Sequence, residues 1–156
     1  MTSDIGAVVG SFWVGLAGGV VGVSGAGAGA FADKTIDDGV MAEVDDATID
    51  AVGTVSVVAT DMATIDAKVD SASVALAGGV VAFAGAVAVS TADNAVDNTI
   101  EASVNGSDVE ATNLNVTATD DTTVSVQARA AALSASIGLG GALSGGGALA
   151  DITATS

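Results

Sequence analysis

Along Val81–Val89 every second residue is alanine. Ala82, Ala84, Ala86 and Ala88 alternate with Val81, Phe83, Gly85, Val87 and Val89. A period of two puts successive side chains on opposite faces, which predicts a strand. The same alternation occurs earlier, with Gly22, Ser24, Ala26, Ala28 and Ala30 on one face and Val21, Val23, Gly25, Gly27, Gly29 and Phe31 on the other. It occurs again later, with Ser144, Gly146, Ala148 and Ala150 set against Leu143, Gly145, Gly147 and Leu149. Neither face of these strands is polar, which predicts burial on both. The small face admits another layer at close range, so Ala82, Ala84, Ala86 and Ala88 are candidates for a self-assembly interface.

The segments between these strands alternate apolar and polar residues. Leu114-Asn115-Val116-Thr117-Ala118-Thr119 and Val124-Ser125-Val126-Gln127-Ala128-Arg129 read as strands with one wet face. Turn signals stand at Asp37-Asp38-Gly39, Asp45-Asp46, Asn105-Gly106-Ser107 and Asp120-Asp121. No stretch has a helical period. The expected class is all-β.

The pattern repeats. Leu16-Ala17-Gly18-Gly19-Val20-Val21 returns unchanged as Leu76-Ala77-Gly78-Gly79-Val80-Val81, about sixty residues on. Ala32-Asp33 matches Ala92-Asp93, Asp37 matches Asp97, and Ile49-Asp50-Ala51 matches Val109-Glu110-Ala111. After a one-residue deletion Val57, Ala59, Thr60 and Asp61 match Val116, Ala118, Thr119 and Asp120. A third copy starts at Gly140-Gly141 and stops at Ser156. Self-similarity at this period predicts an array in which each unit covers its neighbour. We therefore expect a single β-solenoid or stacked β-sheet repeat array over 1–156, with units at about 5–64, 65–126 and a partial one at 127–156.

Charge follows the repeat. Residues 5–32, 71–92 and 130–150 carry no charge, while the acids cluster between them. Blocks of this length are tested as membrane spans. Their Ala, Gly and Ser drive insertion weakly, and acids flank them, so a membrane protein is the least favoured non-enzymatic reading. The formal net charge of −16 argues against nucleic acid or an anionic membrane as a partner. The N-terminus lacks the basic stretch of a secretory signal, which predicts either an internal piece of a longer protein or another exit route.

Candidate chemistry is sparse. There is no Cys and no His, which removes thiolate and imidazole metal sites and most nucleophile–base pairs. The chain is not expected to be an enzyme or to need a cofactor. Calcium is the one ion to weigh, with Asp37, Asp38, Asp45, Asp46, Asp120 and Asp121 as the ligand candidates. The bland alternative is that these acids are solvated turn residues. A row such as Thr117/Thr119 could form an ice-binding ladder, but Thr is the usual filler of an exposed strand position, and the ordinary strand is the favoured reading. Phe12 and Trp13, the only adjacent aromatics, are candidates for a junction between copies.

The succession Gly85-Ala86-Val87-Ala88-Val89-Ser90, Asp97-Asn98-Thr99-Ile100-Glu101-Ala102-Ser103-Val104, Gly106-Ser107-Asp108-Val109-Glu110-Ala111 and Leu114 to Thr119 resembles one unit of the giant repetitive filamentous surface proteins of bacteria, the leukotoxin-like filamentous adhesins. The resemblance implies a β-solenoid stalk at the cell surface or outside the cell, without catalytic residues. Its expected partners are further copies of itself, by head-to-tail stacking, and a host or neighbouring-cell surface. A calcium- or glycan-dependent adhesive module is the alternative.

Overall fold

The computed structural model describes residues 2–155. Three strands make up nearly all of it: β1 (Thr2–Asp45), β2 (Thr48–Asn105) and β3 (Asp108–Thr155). They form one parallel sheet in the order β1-β2-β3. Every paired residue of β1 sits beside the residue sixty positions further on, from Thr2 against Met62 to Asp45 against Asn105. The sequence repeat and the strand register are therefore the same periodicity. β2 and β3 keep it with two local shifts. Val52 and Gly53 oppose the single Thr112, and Val80 alone opposes Leu139 and Gly140. The first shift is the deletion visible in the sequence. Thr112 closes it by donating its hydroxyl to the Val52 carbonyl at 2.8 Å.

A straight strand of 58 residues would run about 190 Å at 3.3 Å per residue. β2 is instead doubled over near Gly79. Ser90 lies against Ser71, with their hydroxyls 2.8 Å apart, and Asn98 donates to the Asp61 carboxylate at 3.0 Å. Ala75 and Ala77 pack on Ala82, Ala84 and Ala86. β1 doubles in the same way, for the Ser3 hydroxyl donates to Asp38 at 2.6 Å. Two layers thus face one another. One holds roughly residues 2–18, 48–78 and 108–138; the other holds 21–45, 81–105 and 141–155.

Glycine permits the bend. Gly19 has φ 142°, a conformation side chains rarely adopt. A Cβ on Gly79 would collide with the Gly19 carbonyl oxygen. At the opposite end the chain passes between layers through stacked tight turns, where Asp46 has φ 46° and Gly106 has φ 58°. The two turns hold each other: Asp46 N–H donates to Asn105 O at 3.0 Å, and Asp108 N–H to Ala47 O at 2.8 Å. The Asp45-Asp46 and Asn105-Gly106-Ser107 signals are therefore real turns. Asp37-Asp38-Gly39 and Asp120-Asp121 are not, and both lie inside continuous strand. In those two places the acids alternate in and out with the pleat instead of ending it.

The interior changes character along the layers. In the middle of the layers it is built largely of branched side chains, with Ile36, Ala63 and Ile65 packed by Ile5, Val96 and Val124. Further toward the bend Ala30, Val69 and Ala92 meet Val9 and Val126. Near the bend the apolar cluster is alanine alone, joined by Ala26 and Ala132. Small side chains let the layers close together there. Ser24, Ser71, Ser73 and Ser90 also point inward and are buried.

The expectation of burial on both faces fails for the apolar strands. The small face is covered in the first two, while in the third, at the sheet edge, Ser144, Gly146, Ala148 and Ala150 are exposed as well. The other face is open, with Val21, Val23, Phe31, Phe83, Val87, Leu143 and Leu149 all exposed. The reason is topological: two layers provide one interior, and none of the described residues lies outside either layer.

Candidate functional surface

The acid pairs do not converge. Adjacent residues in a strand point to opposite faces, so neither member of such a pair can help its neighbour clamp an ion. Asp37 is exposed, whereas Asp38 is half-buried beside Ser3. Asp120 accepts the Thr122 hydroxyl at 2.7 Å, and Asp121 is exposed. Asp45 and Asp46 stand at the turn and are exposed. Among the described residues no group of three or more Asp, Glu, His or Cys is placed to hold a metal ion.

One interior acid carries no signal in the sequence. Asp61 is fully buried, and its carboxylate accepts from Asn98 Nδ2 at 3.0 Å. The same amide reaches Thr122 Oγ1 at 3.4 Å. Asp61 lies beside Asp120 in the register, and Asn98 lies beside Asp38. A chain of polar contacts therefore links both layers near the middle of the molecule. Its members are 37 and 24 residues apart; the doubling of β2 brings Asn98 to Asp61, and the turn into β3 brings Thr122 to Asn98. Lys34, also buried, is satisfied by two backbone carbonyls, those of Ile5 and Asp66.

Ala82, Ala84, Ala86 and Ala88 belong to the interior of the chain itself, all at 7% exposure or less. They are the contact between its two layers, so no surface is left on them for another copy to reach. Phe12 and Trp13 differ from them. Both are more than 60% exposed, and both lie on β1, which is paired along one side only. Phe12 stands on the outer face in the row Phe12/Ala72/Ala131, beside the row Gly10/Asp70/Arg129. The missing side chain of Gly10 and the small alanines leave a shallow hollow there, lined by Phe12, Asp70, Ala72, Arg129 and Ala131. Lys68 and Asp70 pair at 3.5 Å near it, both substantially exposed, so the pair adds little stability.

The rows extend across all three strands. Val14/Val74/Leu133 and Leu16/Leu76/Ala135 cross the outside of one layer, and Val21/Val81/Gly141 and Val23/Phe83/Leu143 cross the outside of the other. The register thereby gathers the three uncharged blocks into one uncharged half of the molecule around the bend. The acids are gathered in the half that carries the turns. No helix of the described chain is long and apolar enough to cross a membrane, which says nothing of strands.

Comparison with family models, curated proteins and solved structures gives no match to this chain.

Proposed function

We propose that the chain is a non-enzymatic structural segment of a β-solenoid, part of an extracellular fibre or adhesin stalk that lengthens by adding coils to its open edges. The observation that supports this most directly is the register. Each strand meets its neighbour at the equivalent position of the next repeat, so one pairing rule serves every added coil. β1 and β3 each keep one free edge, with backbone donors and acceptors ready for a further parallel strand. An edge of β3 meeting the opposite edge of another copy's β1 is a head-to-tail contact that does not close, and it propagates as a filament. Phe12 and Trp13, on the β1 side, anchor that junction.

The geometry sets the dimensions of such a fibre. Each coil adds one strand spacing, about 4.8 Å, along the axis. The longer layer of a coil, residues 48–78, spans about 100 Å at 3.3 Å per residue. The expected object is a thin ribbon about 100 Å wide with a 4.8 Å axial repeat. Sedimentation at neutral pH and moderate salt, followed by electron microscopy and fibre diffraction, tests it. Phe12→Asp combined with Trp13→Asp should give smaller species. A folded monomer that persists at high concentration refutes the proposal.

A further inference from the structure

The two halves of the molecule obey opposite rules. In the half with the turns, Ile36 and Val57 face inward, while Asp50, Asp97 and Glu101 face water. That is the ordinary arrangement of a protein in water. In the half with the bend the arrangement is reversed. Alanine and serine fill the interior, and the larger side chains point out, apart from Trp13, which shares the inner-face row of Ser73 and Ala132 and is 62% exposed on the edge strand β1. Leu16 is 72% exposed, Ile137 80% and Val23 68%. Over the bend itself the row Val20, Val80 and Leu139 is exposed at 75%, 45% and 95%.

The reversed half is also free of charge to a defined depth. Counting back from Gly79 and from Gly138, the first charged residues met in their layer are Asp70 and Arg129, nine positions away in each case. At 3.3 Å per residue that is about 30 Å of strand. On the returning layer the first charges are Asp33, Asp93 and Asp151, at or beyond a similar distance.

We infer that the bend end of this molecule dips into the hydrocarbon of an uncharged lipid surface. Three observations favour lipid over a second copy of the chain. The apolar surface covers both outer faces and runs over the bend between them. A second folded copy covers one flat face, whereas fluid hydrocarbon envelops all three sides. The uncharged depth matches the roughly 30 Å of a bilayer's hydrocarbon core, so the tip can enter a long way before a charge is dehydrated. The acids lie at the far end, where they remain in water and disfavour anionic headgroups. The free edges of β1 and β3 limit the depth, because unpaired backbone groups must still reach headgroups or water.

The low insertion tendency of Ala, Gly and Ser in the sequence argues against a membrane, but it averages residues that the fold separates. Much of the alanine and serine lines the interior, while Leu16, Val23, Phe83 and Ile137 stand out from the outer faces among small exposed residues such as Gly25, Gly85 and Gly145, and Trp13 is exposed as well.

The test is flotation of the purified full chain with phosphatidylcholine vesicles, read together with Trp13 fluorescence in the same vesicles carrying brominated acyl chains. Trp13 is the only tryptophan and lies six residues from Gly19. The chain should float with the vesicles, and Trp13 should be quenched. Phosphatidylserine in the vesicles should weaken binding. Val20→Asp, Val80→Asp and Leu139→Asp together should lower vesicle binding by at least about tenfold, since each acid is costly in hydrocarbon. These side chains are exposed, so circular dichroism should show an unchanged β spectrum. A second variant, Val20→Ser with Leu139→Ser, should weaken binding less and in the same direction. Failure to float overturns the inference, as does floating that the triple variant leaves intact. If the triple variant instead alters sedimentation without vesicles and leaves lipid binding untouched, the tip faces another copy and the inference is wrong. Filament formation is read separately by sedimentation, so either result stands apart from the proposal on stacking.

Discussion

Ala86→Leu is the substitution that reports most directly on which face of the apolar strands is inside. Ala86 is 2% exposed and belongs to a cluster made wholly of alanine, with Ala75, Ala77, Ala82 and Ala84 around it. Leucine adds three heavy atoms to a gap closed by two backbone layers. The layers are held in register by ladders on either side and cannot part at one residue alone. Overpacking of a tight site costs about 1–3 kcal/mol, and the absence of any long side chain to move aside puts this site at the upper end. The control is the next residue. Val87 is 56% exposed on the outer face, and Val87→Leu should change stability by no more than about 0.5 kcal/mol. Urea denaturation followed by far-ultraviolet circular dichroism measures both. The midpoint should fall clearly for Ala86→Leu and stay in place for Val87→Leu, with unchanged slopes. A one-residue slip of a strand exchanges its two faces. If Val87→Leu destabilises and Ala86→Leu does not, the faces are assigned the wrong way round, and the inside-out description of the bend half falls with them.

Two further outcomes follow from the polar residues. Asn98→Ala removes the donor to the buried Asp61 carboxylate and should cost about 1–3 kcal/mol in the same denaturation assay, because the acid is left without that partner; Asn98→Gln should restore little, since the longer side chain displaces the amide. Calcium at millimolar concentration should shift the melting temperature no more than magnesium does at equal ionic strength. A calcium-specific rise abolished by Asp120→Asn with Asp121→Asn would show that these acids meet an ion across copies.

The period of sixty residues was legible because the fold uses it directly. When a parallel strand lies on its own repeat, like residues stack on like, so Leu16 beside Leu76 and Gly18 beside Gly78 are visible in the sequence as recurrence and in the structure as adjacency. The deletion near Gly53 was legible for the same reason. The strand class was legible from Val81–Val89, where alternation leaves no helical stripe. Turns were half legible. Asp45-Asp46 and Asn105-Gly106-Ser107 combine an acid or amide with the left-handed backbone that a reversal requires. Asp37-Asp38 and Asp120-Asp121 have the same composition, yet their backbones remain extended, because acid on a wet strand face is as acceptable as acid in a turn.

What could not be read from the sequence was which face of the apolar strands meets which environment. Both faces of Val81–Val89 are apolar, so hydropathy does not rank them, and the usual rule assigns the larger side chains to the core. Here the number of layers decides instead. The doubled β2 encloses a single interior, and the side chains buried in it near the bend are alanine and serine. Leu16, Val23, Phe83 and Ile137 therefore have no inner position to occupy. The same doubling decides the fate of Asp61. Its neighbours in sequence, Thr60 and Met62, mark an ordinary wet strand, but the pleat turns the carboxylate inward onto Asn98. In a chain whose pairing is fixed by a repeat, the sequence specifies what lies above and below each residue along the stack. What lies across from it is set by where the strand doubles back, and in β2 that is decided by a glycine at 79 that leaves room for the Gly19 carbonyl.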